Sequence, residues 1–447
     1  MKNVLDWIKN NVITVIAIGI VLVSLVFVYL TRAGKQAVRD EMAEVSNTLR
    51  RLDGAKSSQV TIPPQTPDDP PRAIQIAINQ ASIDKIKEAY DRMNEEHTDI
   101  RRLTVEFNEG TGDNRHRPII DGLFPDPGHD PIKPYHGREA FIERFPELLT
   151  TIGGKLRMSG QDADSMVIRL KREYLQRNFT PPLRLEDEGS LNAEAKAKLR
   201  QAVVEGLVKG LQDHAKGAHV YVDNITVNSA DFPFHVPPWL FNAAIEKLEM
   251  HQFWELQMLL WIQQDIARAI AMTNRVGDPK SNVINSPIKR LLKVRVADGY
   301  VGINAPGAVR GGAQDFQIGT NNGAAATSQA LLTANPDQPL QENYNVSPTG
   351  RLSNVVYDVR HVTLSMIVDY RELPIFIENL ARVNFMTVLH MSVKDVDEYD
   401  ALSDRYVYGT GDAVQVDMVI ETIWLREWTR KYMPASVKAD LGVAADN

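Results

Sequence analysis

Apolar residues open this chain as an unbroken run and then thin out into periodic stripes, and that change of pattern divides it. From Val12 to Leu30 nineteen residues carry no charge. As a helix rising 1.5 Å per residue they would extend roughly 28 Å, close to the thickness of a bilayer core. The run is apolar on every face, which suits lipid better than a globular core. No small-x-small cleavage site follows at Tyr29-Leu30-Thr31-Arg32, so the pattern predicts a cytoplasmic tail and uncleaved transmembrane anchor over 1–31. Lys2 and Lys9 precede the span while Arg32, Lys35 and Arg39 follow it, a count that argues against export of the body. A short tail followed by a long C-terminal body is the usual signal-anchor layout, and the expectation is therefore N-terminus in, body out.

Past the anchor the period becomes a heptad. Val38, Met42, Val45, Leu49 and Leu52 recur at alternating spacings of four and three, the seam of a short coiled coil. The stretch 54–71 then carries five prolines, which lack the amide hydrogen a helix needs, and predicts a stiff extended spacer. A second seam places Ile76, Ile83, Tyr90 and His97 on one heptad position and Ile86, Met93, Ile100 and Phe107 on the other. Two readings of it stay open: a surface for pairing with another helix, or a stripe facing its own core. The stalk so defined covers 32–107, and Val38, Met42, Val45, Leu49, Leu52, Ile83, Ile86, Tyr90 and Met93 are its interface candidates. His97 reads as a packed histidine rather than a ligand.

Residues 108–238 form a mixed middle region of unassigned role. It reads as a loop over 108–134, helices over 139–158, 162–176 and 192–209 with Ser190 as cap, and short strands at 220–222 and 225–227. The last part, 239–447, is more regular. An apolar-faced helix from Trp239 to Thr273 precedes a strand from Ile288 to Val296, with Leu292, Val294 and Val296 inward and Lys293 and Arg295 to water. The Gly-, Ala- and Asn-rich stretch 298–354 predicts a flexible insertion. There follow a strand over 359–368, a helix over 371–383, a strand over 386–396 with Leu389, Met391 and Val393 inward, a strand over 414–423, and a basic helix over 426–438. Helix-strand-strand, twice over, predicts an α+β fold: a ferredoxin-like domain with two helices on one face of a four-stranded antiparallel sheet.

Composition narrows the chemistry. A net charge of -7 disfavours nucleic acid, whose phosphates need clustered Lys and Arg. With no cysteine at all, disulfides, thiolate metal sites and cysteine nucleophiles are excluded. No phosphate-binding loop, serine elbow or H-E-x-x-H occurs. The repeated tetrapeptides at Gly110–Asp113 and Gly409–Asp412 read as turns. His116, Asp121, Asp126, His129, Asp130 and His136 share one segment and could together hold a divalent ion, but their irregular spacing favours a solvated loop. Lys289, Arg290, Lys293 and Arg295 read as the wet face of a half-buried strand. Neither a catalytic residue nor a cofactor, metal or small-molecule substrate is expected.

The order of anchor, juxtamembrane heptads and helix-strand-strand doublet resembles the PilO family of type IV pilus alignment proteins and the related M component of type II secretion systems. The likeness rests on residues 1–53, extending toward 107, and on 239–425, the run from Val359 to Ile423 being its strongest part. It implies a non-enzymatic single-pass scaffold of the bacterial inner membrane with a periplasmic body. Its partners would be a second copy, or a PilN-like bitopic protein in a heterodimer. The alternative function is a membrane-anchored binding ectodomain in which 108–238 and 298–354 make the contacts.

Overall fold

In a computed structural model of the chain, the structure describes residues 19, 21–22, 24, 35, 38–52, 59–62, 72–75, 80–128, 132–242, 248–303, 343–344 and 346–443. They fall into two units, Met1–Arg101 and Arg102–Asn447. In chain order the helices are α1 (38–52), α2 (Gln80–Glu109), α3 (Lys133–Thr151), α4 (Gly160–Asn178), α5 (Ala193–Ala215), α6 (Met250–Thr273), α7 (Leu373–Val383), α8 (Glu398–Ser403), α9 (Arg426–Thr429) and α10 (Ala435–Asp440). The strands are β1 (Gln59–Ile62), β2 (Arg72–Gln75), β3 (Gly154–Lys155), β4 (Val220–Val222), β5 (Ile288–Val296), β6 (Tyr357–Asp369), β7 (Met386–Asp395) and β8 (Ala413–Leu425).

The first unit corrects two expectations. Among the described residues no helix is long and apolar enough to cross a membrane. Of the segment 12–30, Gly19, Val21, Leu22 and Ser24 are described, as helix, and the remainder lies outside the described residues; a span needs about twenty consecutive apolar positions. Within the predicted proline spacer, β1 instead pairs antiparallel with β2, Gln59 opposite Gln75 and Ile62 opposite Arg72. Valine, threonine and isoleucine at 60–62 favour a pleated strand over polyproline geometry. Both seam helices are present, α1 and α2, so the expected coiled-coil stalk is seen here as single helices.

In the second unit the ferredoxin-like expectation gives way to a larger sheet. Its six strands run in the order β3-β4-β5-β6-β8-β7, and the sheet is mixed rather than antiparallel. The β3–β4 and β4–β5 pairs are parallel, whereas β5–β6, β6–β8 and β8–β7 are antiparallel. The two additional strands come from the middle region. Parallel neighbours need a crossover between them, and the α4–α5 hairpin supplies it for β3 and β4 while α6 supplies it for β4 and β5. At the other end β6 and β7 run the same way through α7, with β8 inserted between them.

Local chemistry explains the boundaries. Asn192, not Ser190, caps α5, its side-chain oxygen accepting from Ala195 N at 2.8 Å, and Ser159 caps α4 by accepting from Asp162 N at 3.1 Å. Gly206 and Gly210 of α5 let α4 approach closely: a Cβ at Gly206 would lie 2.7 Å from Leu170 and one at Gly210 2.2 Å from Met166. The long helix begins at Met250 rather than Trp239, because Pro237 and Pro238 introduce a 3-10 turn, Pro238–Phe241. Residues 225–227 are irregular rather than a strand and lead into a turn closed by Ser229 N donating to Thr226 O, and the basic C-terminal stretch breaks at Pro434 into α9 and α10.

Helix α6 is the centre of the core. Trp254, Leu256, Trp261, Ile262, Ile266 and Ile270 are all buried, on more of the circumference than one sheet can cover. The sheet takes one side, α3 and α7 flank it, and the loop after α2 closes the top, where Trp261 Nε1 donates to Arg117 O at 3.0 Å and Ile119 N donates to Gln257 Oε1 at 2.8 Å. Trp261 also stacks on Trp424 with centroids 6.2 Å apart. On the opposite face of the sheet Tyr221, Ile367, Tyr406 and Tyr408 make a smaller cluster beneath the chain that leads from α8 to β8.

Strand β7 faces as expected at Met391 and Val393 but differs in burial. A register shift between Val388 and His390 puts Met391 and Val393 on the helix-bearing side, opposite Met418 and Val416, yet both remain exposed. They sit on the outermost strand, past the cover that α7 provides. In β5 two shifts likewise turn Leu291 into the main core and leave Leu292 against the smaller cluster.

Replacing Trp261 by alanine is expected to lower the stability of the second unit by about 3–5 kcal/mol, the usual cost of emptying a buried aromatic site. Urea unfolding of the full chain followed by circular dichroism checks this; an unchanged midpoint would contradict the packing described.

Candidate functional site

All nine interface candidates lie on helices and are exposed, from 47% for Ile83 to 69% for Met42. Single exposed apolar side chains are ordinary. A row at heptad spacing is not, since each position repeats on one face of its helix. Of the two readings open for the second seam, Ile83, Ile86, Tyr90 and Met93 are not covered by their own chain among the described residues. Other faces of α2 carry charge, with Glu88 and Arg92 paired at 3.1 Å one turn apart. Burying such a side chain fully is worth about 1.5–3 kcal/mol.

In the second unit the polar side chains gather around Asp265, which is fully buried on α6. One carboxylate oxygen is hydrogen-bonded with His116 Nε2 at 2.9 Å and accepts from Arg268 Nη1 at 3.0 Å, and the other accepts from Asn384 Nδ2 at 2.7 Å. His116 is itself held at Nδ1 by Glu109 O, 2.9 Å away. Asn384, between α7 and β7, receives Asn108 Nδ2 at 2.7 Å, and Asn108 Oδ1 accepts from Leu425 N at 2.7 Å and Trp428 Nε1 at 2.6 Å. Rings of Trp261, Trp424 and Trp428 surround the imidazole at centroid distances of 5.9, 5.2 and 5.8 Å. The loop from Glu109 to Ile120, the α7–β7 junction and the end of β8 are thereby tied to one buried charge.

The segment weighed as a metal site and read as a solvated loop is taken apart by this arrangement. His116 belongs to the Asp265 network, His136 is exposed beside Glu139, and His129 and Asp130 lie outside the described residues. Among the described residues no group of three His, Asp or Glu could hold a metal ion. The basic strand is also divided. Lys289 is buried and donates to the carbonyls of Val283 and Ile284 at 3.2 and 2.9 Å, and burial pulls its ammonium down to about 8. Arg290 makes a bidentate pair with Asp223, both contacts 2.7 Å, under Tyr406, whose hydroxyl donates to the same carboxylate. Arg295 donates to Val294 O at 2.7 Å, and Lys293 alone faces water. The tetrapeptides are turns, with φ +80° at Gly110 and +90° at Gly409.

Both roots of the predicted insertion are clamped to the sheet, while 304–342 lie outside the described residues. Val301 N donates to Val359 O and Ser353 N to Val301 O, each 2.9 Å. Beyond them Glu421, on β8, accepts from Ser347 Oγ at 3.0 Å, Thr349 Oγ1 at 2.7 Å and Arg351 Nη1 at 2.9 Å, with His361 Nε2 3.9 Å away. Burial alone would push this carboxyl up, but the contacts from His361, Thr349, Arg351 and Ser347 together outweigh it and bring it down to about 2.

No family model matches the chain, and neither a curated protein nor a solved structure matches it.

Because the Glu421 carboxyl is depressed from 4.5 to about 2 in the folded chain, its stabilising contribution is complete above 4.5 and is lost as pH falls toward 2. Glu421→Gln is therefore expected to melt below the parent chain at pH 7, with the gap closing on acidification from 4.5 downward. Thermal melts across that range check it; a gap independent of pH would remove the ionised carboxylate from the account.

Proposed function

We propose that this chain is a non-enzymatic scaffold that pairs with a second helix-bearing subunit, a copy of itself or a PilN-like protein, in an assembly platform of the type IV pilus or type II secretion kind. The carrying observation is the row of nine exposed apolar side chains at heptad spacing on α1 and α2. Two such helices supercoil when the apolar seam of each enters the holes of the other, and the gain comes from removing those side chains from water. The reading puts the chain at the bacterial inner-membrane platform with its second unit in the periplasm. A mixed sheet with helical cover, buried charges held by hydrogen bonds from within the chain, and roots that clamp an insertion describe a rigid mount for contacts better than a reaction chamber.

The chain has no cysteine, so one introduced thiol reports one position. Val45→Cys and Leu49→Cys are expected to form disulfide-linked dimers, or a linked pair with a co-expressed PilN-like partner, under mild oxidation, whereas Arg50→Cys beside the seam does so far less. Met93→Asp, which buries a charge in the seam, is expected to weaken pairing at least about tenfold in sedimentation equilibrium. A chain that stays monomeric at every concentration, alone and with candidate partners, would overturn the proposal.

A further inference from the structure

A groove of about 760 Å³ opens between the last turns of α2, the second half of α6 and the end of α7. Leu103, Phe107, Ala271, Met272 and Val383 supply its apolar walls, and Leu103 and Met272 are left 56% and 48% exposed. Its volume falls in the range of about 300–1,000 Å³ typical of sites for organic ligands. Its polar lining comes from His116, Arg268 and Arg382, with Glu106 and the backbone-rich turn at Gly110–Asn114 at the rim.

Proton bookkeeping at Asp265 gives the groove its sign. The carbonyl of Glu109 can only accept, so His116 Nδ1 carries hydrogen. The contact of His116 Nε2 with Asp265 holds one hydrogen between the two groups, so the His116–Asp265 pair carries no net charge. The Arg268 guanidinium is thus left uncompensated by the buried pair. Glu106 does not offset the excess, because it is paired with Arg102 at 3.1 Å, and Arg382 is matched by Glu378 at 2.7 Å. Arg268 spends Nη1 on Asp265. The other four of its five N–H groups have no partner among the described residues, and the residue lines the groove.

From the walls and the charge together, we propose that this groove binds an apolar carboxylate, a ligand of the medium-chain fatty-acid class. Arg268 receives the head group through its unspent N–H groups. The alkyl chain lies against Phe107, Met272 and Val383. Partial burial of Arg268, whose side chain is 21% exposed, strengthens the ionic contact relative to a surface arginine. The groove shares Phe107 with the second seam but none of the nine interface candidates, so either reading can fail without the other.

Isothermal titration of the full chain with sodium octanoate, 1-octanol and sodium acetate tests head and tail apart. Octanoate is expected to bind at least about tenfold more tightly than octanol, the worth of one hydrogen-bonded charge contact, and acetate to give no saturable heat. Arg268→Met keeps the aliphatic stem and is expected to bring octanoate to within about twofold of octanol. Met272→Trp fills the groove without touching Asp265 and is expected to weaken octanoate at least about tenfold. Equal affinities for octanoate and octanol in the parent chain would overturn the proposal, as would parental octanoate binding in Met272→Trp.

Discussion

Asp265 is the constraint around which the second unit is arranged. A carboxylate with no exposure on a core helix is costly unless its oxygens are filled, and here they are filled from three parts of the chain: His116, Arg268 and Asn384. Two of these three are fixed by something else. His116 is held by the Glu109 carbonyl, and Asn384 by Asn108, which also takes Leu425 N and Trp428 Nε1. Removing any one donor would leave a polar group stranded among tryptophans. Apolar packing makes this body compact, and the network decides which loop lies against which strand.

Much of the secondary structure was legible because periodicity reports burial. β6, β8 and α7 fall within a few residues of their expected ends, since each alternates or repeats without interruption. What could not be read was pairing. A two-residue strand such as Gly154–Lys155 has no pattern to detect, and Val220–Val222 gives no sign that it will lie parallel to β5. The shift at Val388/His390 changes which side chains face the helices while leaving the alternation of the sequence intact. That one residue of slip moved Met391 and Val393 to a position the pattern assigned to the interior.

The two kinds of site differed in the same way. Heptad rows such as Val38 to Leu52 are contiguous along one helix, so spacing alone finds them. Asp265, His116 and Asn384 are separated by more than a hundred positions each, and only the folded chain joins them. His116 drew notice for its neighbours in sequence, Asp121 and Asp126, whereas its partner in space is an aspartate within an apolar helix. The nearest available signal was the polar set Gln257, Gln263 and Asp265 on an otherwise hydrophobic segment, each of which proves to be fully buried.

The placement of β8 has a consequence for biosynthesis. It is the last of the described strands to leave the ribosome, yet it lies between β6 and β7 and pairs with both. Until residue 425 has emerged, the nascent polypeptide carries two strands with unanswered amides, and the β6 edge can be satisfied only by a non-local pairing that skips α7 and β7. A chain terminated before Ala413 would therefore lose more than one strand: it would expose a gap in the middle of the sheet, the kind of surface that chaperones hold and that promotes aggregation.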